Sequence, residues 1–127
     1  MALVRPLIAV VDDEESVRRA LARMLSASQF DVDVFASGQE FLDSLRTRLP
    51  ECVILDYQMA GLTGRDVQRQ LTLAHIRVPI IVVTAHDQAA LREQCLADGA
   101  LAYLAKPLHR ERLVGLINDA IRLGSVS

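Results

Sequence analysis

Three short runs of apolar residues, Leu7–Val11, Cys52–Leu55 and Pro79–Val83, constrain this chain more than any other feature. The runs are rich in β-branched residues and carry no polar position, so each reads as a strand whose two faces are both covered. Strands of that kind belong to parallel sheets sandwiched between helices. Each run also stops abruptly at a polar residue: Asp12–Asp13, Asp56 and Thr84.

The segments between the runs carry the complementary period. Val17, Ala20, Leu21, Met24 and Leu25 repeat at helical spacing after the first run. Asp31–Phe35 alternates polar and apolar residues, the pattern of an edge strand or one with an exposed face. Ser37 with Glu40 forms a capping box for a helix carried by Phe41, Leu42 and Leu45. Beyond Asp56, a loop with Gly61 and Gly64 leads to a second box, Thr63 with Asp66, ahead of Val67, Leu71 and Ala74. The pattern predicts a helix over Asp87–Asp98 ended by Gly99, then a short strand over Leu101–Ala105 ending at Lys106–Pro107. Leu113, Leu116, Ile117, Ala120 and Ile121 mark an amphipathic last helix.

Five strands alternating with five helices argue for an α/β doubly wound fold, a parallel sheet with helices on both faces. Five strands fit the flavodoxin-like (βα)5 order 2-1-3-4-5, which makes strands one and three neighbours at the topological switch point. Ligands bind outside the carboxyl ends of the strands at that point. The residues there are Asp12, Asp13, Asp56, Thr84 and Lys106. Like charges about 4 Å apart repel by about 1 kcal/mol in water and about 4 kcal/mol at an effective dielectric near 20. Lys106 alone cannot balance three carboxylates, whereas a hard divalent cation such as Mg²⁺ can, through carboxylates, water and a phosphate.

The stretches VVDDEES, VILDYQMAGLTG, IIVVTAHD and GALAYLAKP together resemble the receiver domain of two-component response regulators, from about Leu7 to the last helix. An isolated acidic pair or Lys-Pro is weak; the ordered set, each at a strand end, is strong. The resemblance implies that a phosphorylated histidine of a sensor histidine kinase donates its phosphoryl group to Asp56. It implies Asp13 as a direct Mg²⁺ ligand (Mn²⁺ being the alternative ion), Asp12 as a ligand chiefly through water, and the backbone carbonyl of Gln58 alongside Asp56. Lys106 then pairs with the phosphoryl oxygens, Thr84 hydrogen-bonds them after transfer, and Tyr103 falls at the position of the family's aromatic switch. The chemistry needs these residue types: a carboxylate nucleophile forms an acyl phosphate while the protein positions groups and neutralises charge.

Plainer uses compete with each role. Asp12 and Asp13 could start the first helix, Thr84 could cap the next helix, Lys106 before Pro107 could be a solvated turn residue, and Tyr103 could be packing. Asp56 ends a buried strand, where an unpaired carboxylate is costly. His75, His86 and His109 are dispersed and read as surface or capping residues. Two departures from the family pattern stand out. Ala60 replaces a usual Pro, which frees a backbone N–H, and Leu108–His109 replaces a usual helix cap. Gln58 and His86 stand where side chains influence acyl-phosphate lifetime in the family.

Other classes fit less well. Phosphatases of the haloacid dehalogenase class place a second Asp two residues after the nucleophile, where this chain has Gln58. A flavodoxin-like cofactor binder needs backbone N–H groups in its first loop; Asp12–Glu15 repels phosphate unless a metal intervenes. A non-phosphorylated pseudo-receiver that only binds partners remains a minor alternative, because every expected chemical group is present. Separate substrate turnover is therefore not expected.

The net charge of -2 and four per cent aromatics argue against direct nucleic-acid binding. The 127 residues fit one domain, with a core over about 6–123. Neither a signal peptide nor a membrane span is expected at the N-terminus, and Cys52 and Cys95 suit reduced thiols in a cytoplasmic protein. The chain ends at residues 124–127, soon after the last helix, so the sequence leaves open a stand-alone receiver or one preceding a DNA-binding output domain beyond residue 127. Arg92, Glu93, Arg110, Glu111 and Arg112 give the face made by the fourth helix, last strand and last helix the mixed charge of a phosphorylation-dependent homodimer interface.

Overall fold

The structure, a computed structural model, describes residues 4–125; residues 1–3 and 126–127, on which parts of the terminal readings fall, lie outside that range. The elements run β1 (Leu7–Val11), α1 (Glu15–Ala27), β2 (Asp31–Phe35), α2 (Gly38–Ser44), β3 (Cys52–Asp56), α3 (Gly64–Leu73), β4 (Ile80–Thr84), α4 (Ala89–Ala97), β5 (Ala102–Ala105) and α5 (Arg110–Ser125). All strand pairings are parallel, in the order β2-β1-β3-β4-β5, as the alternation predicts. β1, β3 and β4 are buried along their whole length, whereas β2, at the edge, is nowhere fully buried. Asp31 and Val34 are exposed and Val32, Asp33 and Phe35 half-buried, so its polar–apolar alternation in sequence is not matched by an alternation in burial.

Because side chains alternate along a strand, the sheet feeds two cores. Ile8, Val10, Ile54, Ile81 and Leu104 pack with Leu21 and Leu25 of α1 and Leu113 and Ile117 of α5. Val11, Val53, Leu55, Val82 and Tyr103 pack with Phe41 of α2, Val67 and Leu71 of α3 and Cys95 of α4. Burying each large side chain contributes about 1.5–3 kcal/mol, which holds the strands in the register that gathers their carboxyl ends on one edge.

Several local expectations shift. The Ser37 hydroxyl accepts from the Glu40 N–H at 3.1 Å, but the Glu40 carboxylate reaches one residue further back, to the Ala36 N–H at 2.9 Å. Only half of that capping box forms, whereas both halves form between Thr63 and Asp66. The fourth helix is shorter than Asp87–Asp98: α4 begins at Ala89, Asp98 is its C-cap, and Gly99 follows at φ +105°, where a side chain would be strained. Ala20 and Ala74 are exposed rather than core, and Ala74 is the C-cap of α3.

Candidate functional site

Asp12, Asp56, Thr84 and Lys106 all stand at or just past the carboxyl ends of neighbouring strands. Asp12 and Asp56 are buried, with 1% and 4% of their surface exposed, while Asp13 is exposed. One oxygen from each of Asp12, Asp13 and Asp56 lies within 4.8 Å of the others, the one such acidic group among the described residues. Lys106 reaches into it from the end of β5, with Nζ 2.8 Å from Asp12 Oδ2 and 3.4 Å from Asp56 Oδ1. The Lys106–Pro107 peptide is cis.

Every polar group of Asp12 is engaged. Its N–H donates to the Phe35 carbonyl at 3.1 Å, and its own carbonyl accepts from Arg18 Nη1 at 2.8 Å. Oδ1 accepts from the Glu14 N–H at 2.9 Å, and Oδ2 accepts from Lys106. Asp12 therefore also organises the turn into α1, so the plainer use and the site use coexist. Asp13 is held only lightly, its Oδ2 accepting from the Ala60 N–H at 3.3 Å. That donor is the backbone N–H a Pro at position 60 would lack.

Charge and burial act together on Asp56. Burial, then the nearby Asp12 charge, push its carboxyl up to about 6, against the opposing pull of Lys106. Burial disfavours the Lys106 ammonium, but the hydrogen bond it donates to Asp12 and the charges of Asp56 and Asp12 outweigh it and hold that group above its ordinary value. Three carboxylates against one ammonium leave the crevice deficient in positive charge, and an all-oxygen donor set suits a hard divalent cation.

The surrounding loops are tightly drawn. The Gly64 N–H donates to the Tyr57 carbonyl at 2.8 Å, and a Cβ on Gly64 would stand 2.9 Å from Tyr57 Cα, so α3 starts against the backbone that follows Asp56. Gln58, with an exposed side chain, lies in the turn between Asp56 and Ala60. Thr84 is fully buried, and its Oγ1 accepts from the His86 N–H at 3.0 Å, which ties it to the turn after β4. That bond does not use the hydroxyl proton, so Thr84 can still donate. Tyr103 is buried in β5, its hydroxyl accepting from the Gln88 N–H at 3.3 Å. Packing and a link to the entry of α4 are thus combined in one side chain.

The remaining candidates are passive. Cys52 and Cys95 are free and buried, and burial pushes the Cys52 thiol up to about 12. His75, His86 and His109 are exposed. Among the described residues no helix is long and apolar enough to cross a membrane. Arg18 and the Ala60 N–H are the site contacts that sequence reasoning did not find.

Comparison with known proteins gives a consistent neighbourhood. A family model described as the response regulator receiver domain matches residues 8–118. The transcriptional regulatory protein TdiR of Thauera aromatica is 35% identical over 114 residues, which cover 90% of this chain and 50% of that protein. A response regulator receiver protein from Burkholderia phymatum superposes with a TM-score of 0.82 at 44% identity, covering 93% of this chain and 96% of that one. A response regulator receiver domain protein from Clostridium thermocellum superposes at 0.89 with 26% identity, covering 95% and 98%. The chain spans about half the length of several curated relatives it matches, and about a quarter of others.

Proposed function

The chain belongs to the response regulator receiver domain family, and from that premise we propose that Asp56 is its phosphoacceptor, served by Mg²⁺ held at Asp12, Asp13, Asp56 and the Gln58 carbonyl. One observation carries the reading: two buried carboxylates share a single ammonium while a third, exposed carboxylate completes the group within 4.8 Å. The unequal engagement of the two acids after β1 supports a division between them. Both oxygens of Asp12 are occupied, so it reaches the ion through water; Asp13 gives up one long bond and binds directly. Gln58 belongs to the loop whose Ala60 N–H already touches Asp13, which favours its carbonyl as the neighbouring ligand. Mn²⁺ presents the same octahedral demand and substitutes.

When bound, the ion supplies neutralisation of the charge shared between the acceptor and the incoming phosphoryl oxygens. Transfer breaks the N–P bond of a phosphohistidine on a sensor histidine kinase and forms an O–P bond to Asp56, and the imidazole leaves. Lys106 is near enough to Asp56 to follow the new oxygens as a point charge, and Thr84 donates its free hydroxyl proton to one of them. Tyr103 and α4 then answer the movement of the β4–α4 turn. The domain spans 1–127 with a core over 6–123 and is a signalling domain without separate substrate turnover. Relatives named as transcriptional regulators favour a cytoplasmic protein whose output is a DNA-binding domain beyond residue 127.

Acetyl phosphate with Mg²⁺ tests the assignment, because the receiver carries the catalytic groups itself. Intact mass should rise by one phosphoryl group in the wild type and not in Asp56→Asn. Modification that persists in the mutant, on a Ser or His, would refute it. Titration calorimetry should show one weak Mg²⁺ site that Asp13→Asn nearly abolishes.

A further inference from the structure

Arg18 lies in the first turns of α1, half-buried, on an element that begins directly behind the acidic pair. A cation is out of place there by helix energetics, since the N-terminal end of a helix favours negative charge. Helical side chains lean towards the N-terminus, and this one leans back onto the strand end, where Nη1 donates to the Asp12 carbonyl at 2.8 Å. That carbonyl belongs to the peptide joining Asp12 to Asp13. We propose that Arg18 is a positioning residue for the cation site: by clamping this peptide it fixes the direction in which Asp13 presents its carboxylate. The proposal rests on the metal reading above and deepens it.

The neighbouring contacts explain why the clamp matters. Asp12 is anchored by its own side chain, through Glu14 and Lys106, so it keeps its place without Arg18. Asp13 has only the 3.3 Å bond from Ala60, too long and too exposed to set its orientation. With the Asp12 side chain and main-chain N–H already tied, the carbonyl clamp is the remaining hold on the plane of the peptide from which Asp13 projects. A partner one step removed from a metal ligand commonly affects affinity by about 10–100-fold when lost.

Charge alone makes the opposite forecast. A guanidinium beside a dication site repels the ion, so deleting it should tighten Mg²⁺ if Arg18 matters only by charge. Arg19 provides the control: it is exposed and pairs with Glu15 at 3.2 Å. Its removal takes the same charge from the adjacent position without touching Asp12.

The experiment is Mg²⁺ titration by calorimetry of the wild type, Arg18→Met, Arg18→Lys and Arg19→Met, with a thermal melt of each. Arg18→Met should bind about tenfold more weakly, Arg18→Lys should recover part of the loss, and Arg19→Met should equal the wild type or bind slightly tighter. With acetyl phosphate, the Mg²⁺ concentration for half-maximal phosphorylation should rise in Arg18→Met while the plateau rate stays near that of the wild type. Affinity in Arg18→Met equal to or tighter than the wild type overturns the proposal. If Arg18→Met melts below the assay temperature, Arg18→Gln replaces it under the same criteria. A wild type that binds no Mg²⁺ would instead refute the metal reading itself, before any Arg18 variant is compared.

Discussion

Asp56 is a destabilising residue in the metal-free protein, and the sign can be worked out. Its folded carboxyl titrates near 6, above the ordinary value of 3.8, because burial and Asp12 disfavour the anion. A group whose folded value is raised binds its proton more tightly in the folded state. Its favourable contribution is therefore complete below about pH 4 and is lost as pH rises through about 6. At about 1.4 kcal/mol per unit the loss is at most about 3 kcal/mol, less where the open side of the crevice screens the charge. Asp56→Asn should thus stabilise the metal-free protein by about 1–3 kcal/mol at pH 7.5, and Lys106 keeps its 2.8 Å partner Asp12 in that variant. Urea melts in chelator should show the gain shrinking towards pH 4.5; a gain that grows on acidification would contradict the assigned cause. The acids of this site were legible in the sequence because they close buried apolar runs whose carboxyl ends the expected strand order brings to one edge. Arg18 was not, since a helical arginine six residues past Asp12 looks like any solvated one. Nor does a sequence show that the backbone N–H freed at Ala60 finds Asp13.

The elements divide by how strongly they are packed. β1, β3 and β4 were legible because unbroken apolar runs leave no other burial pattern, and α5 because Leu113, Ile117 and Ala120 follow one stripe. The bounds of α4 were not, since Cys95 is its one buried side chain and Gln88 at its N-cap makes no side-chain hydrogen bond. What fixes α4 is polar and non-local. The Tyr103 hydroxyl accepts from Gln88 at its entry. At its exit, Arg65 of α3 lies 3.2 Å from Asp98, and Gln68, buried in α3, donates to the Cys95 carbonyl at 3.4 Å. With its amide oxygen turned to Arg65, Gln94 also accepts from both terminal nitrogens, at 2.8 and 3.2 Å. A helix held by a few polar ties opens more easily than one held by a core. The wild type should therefore show less hydrogen-exchange protection across α4 than in β1 and β3, and Arg65→Met, at a cost of about 1 kcal/mol, should speed exchange across α4 by about fivefold. An α4 as well protected as the sheet strands would show that it opens only with the whole domain.

α4 and α5, on opposite faces of the sheet, flank the edge strand β5, and the composition of the face they form bears on how phosphorylation could act there. Between those elements lies a hollow of about 220 Å³ lined in part by Arg92, Tyr103, Pro107 and Arg112. Arg92 stands 6.0 Å from the centre of the Tyr103 ring. Arg92, Glu93, Glu111 and Arg112 are exposed, while Arg110 turns aside to donate to Ser28 at 3.2 Å. A phosphoryl group on Asp56 would add about -1.5 to -2 charge, drawing Lys106 and Thr84, which stand side by side at the carboxyl edge of the sheet, where the Lys106 N–H donates to the Thr84 carbonyl at 2.8 Å. A movement of the β4–α4 turn would break the Gln88–Tyr103 bond, and with it the tie that holds the entry of α4. The equilibrium shifts only as far as the two arrangements differ in affinity for the phosphoryl group. Alternating charge around a small hollow suits a second copy of the chain bound weakly and polarly, with attraction that fades in salt. Sedimentation with and without beryllofluoride, which mimics the phosphoryl group, should therefore show self-association only in the treated protein. Raising ionic strength should weaken it, and Arg112→Glu should prevent it while leaving phosphorylation of Asp56 intact. If the treated protein stays monomeric at high concentration and Tyr103 keeps its solvent exposure, this face does not carry the response of the domain.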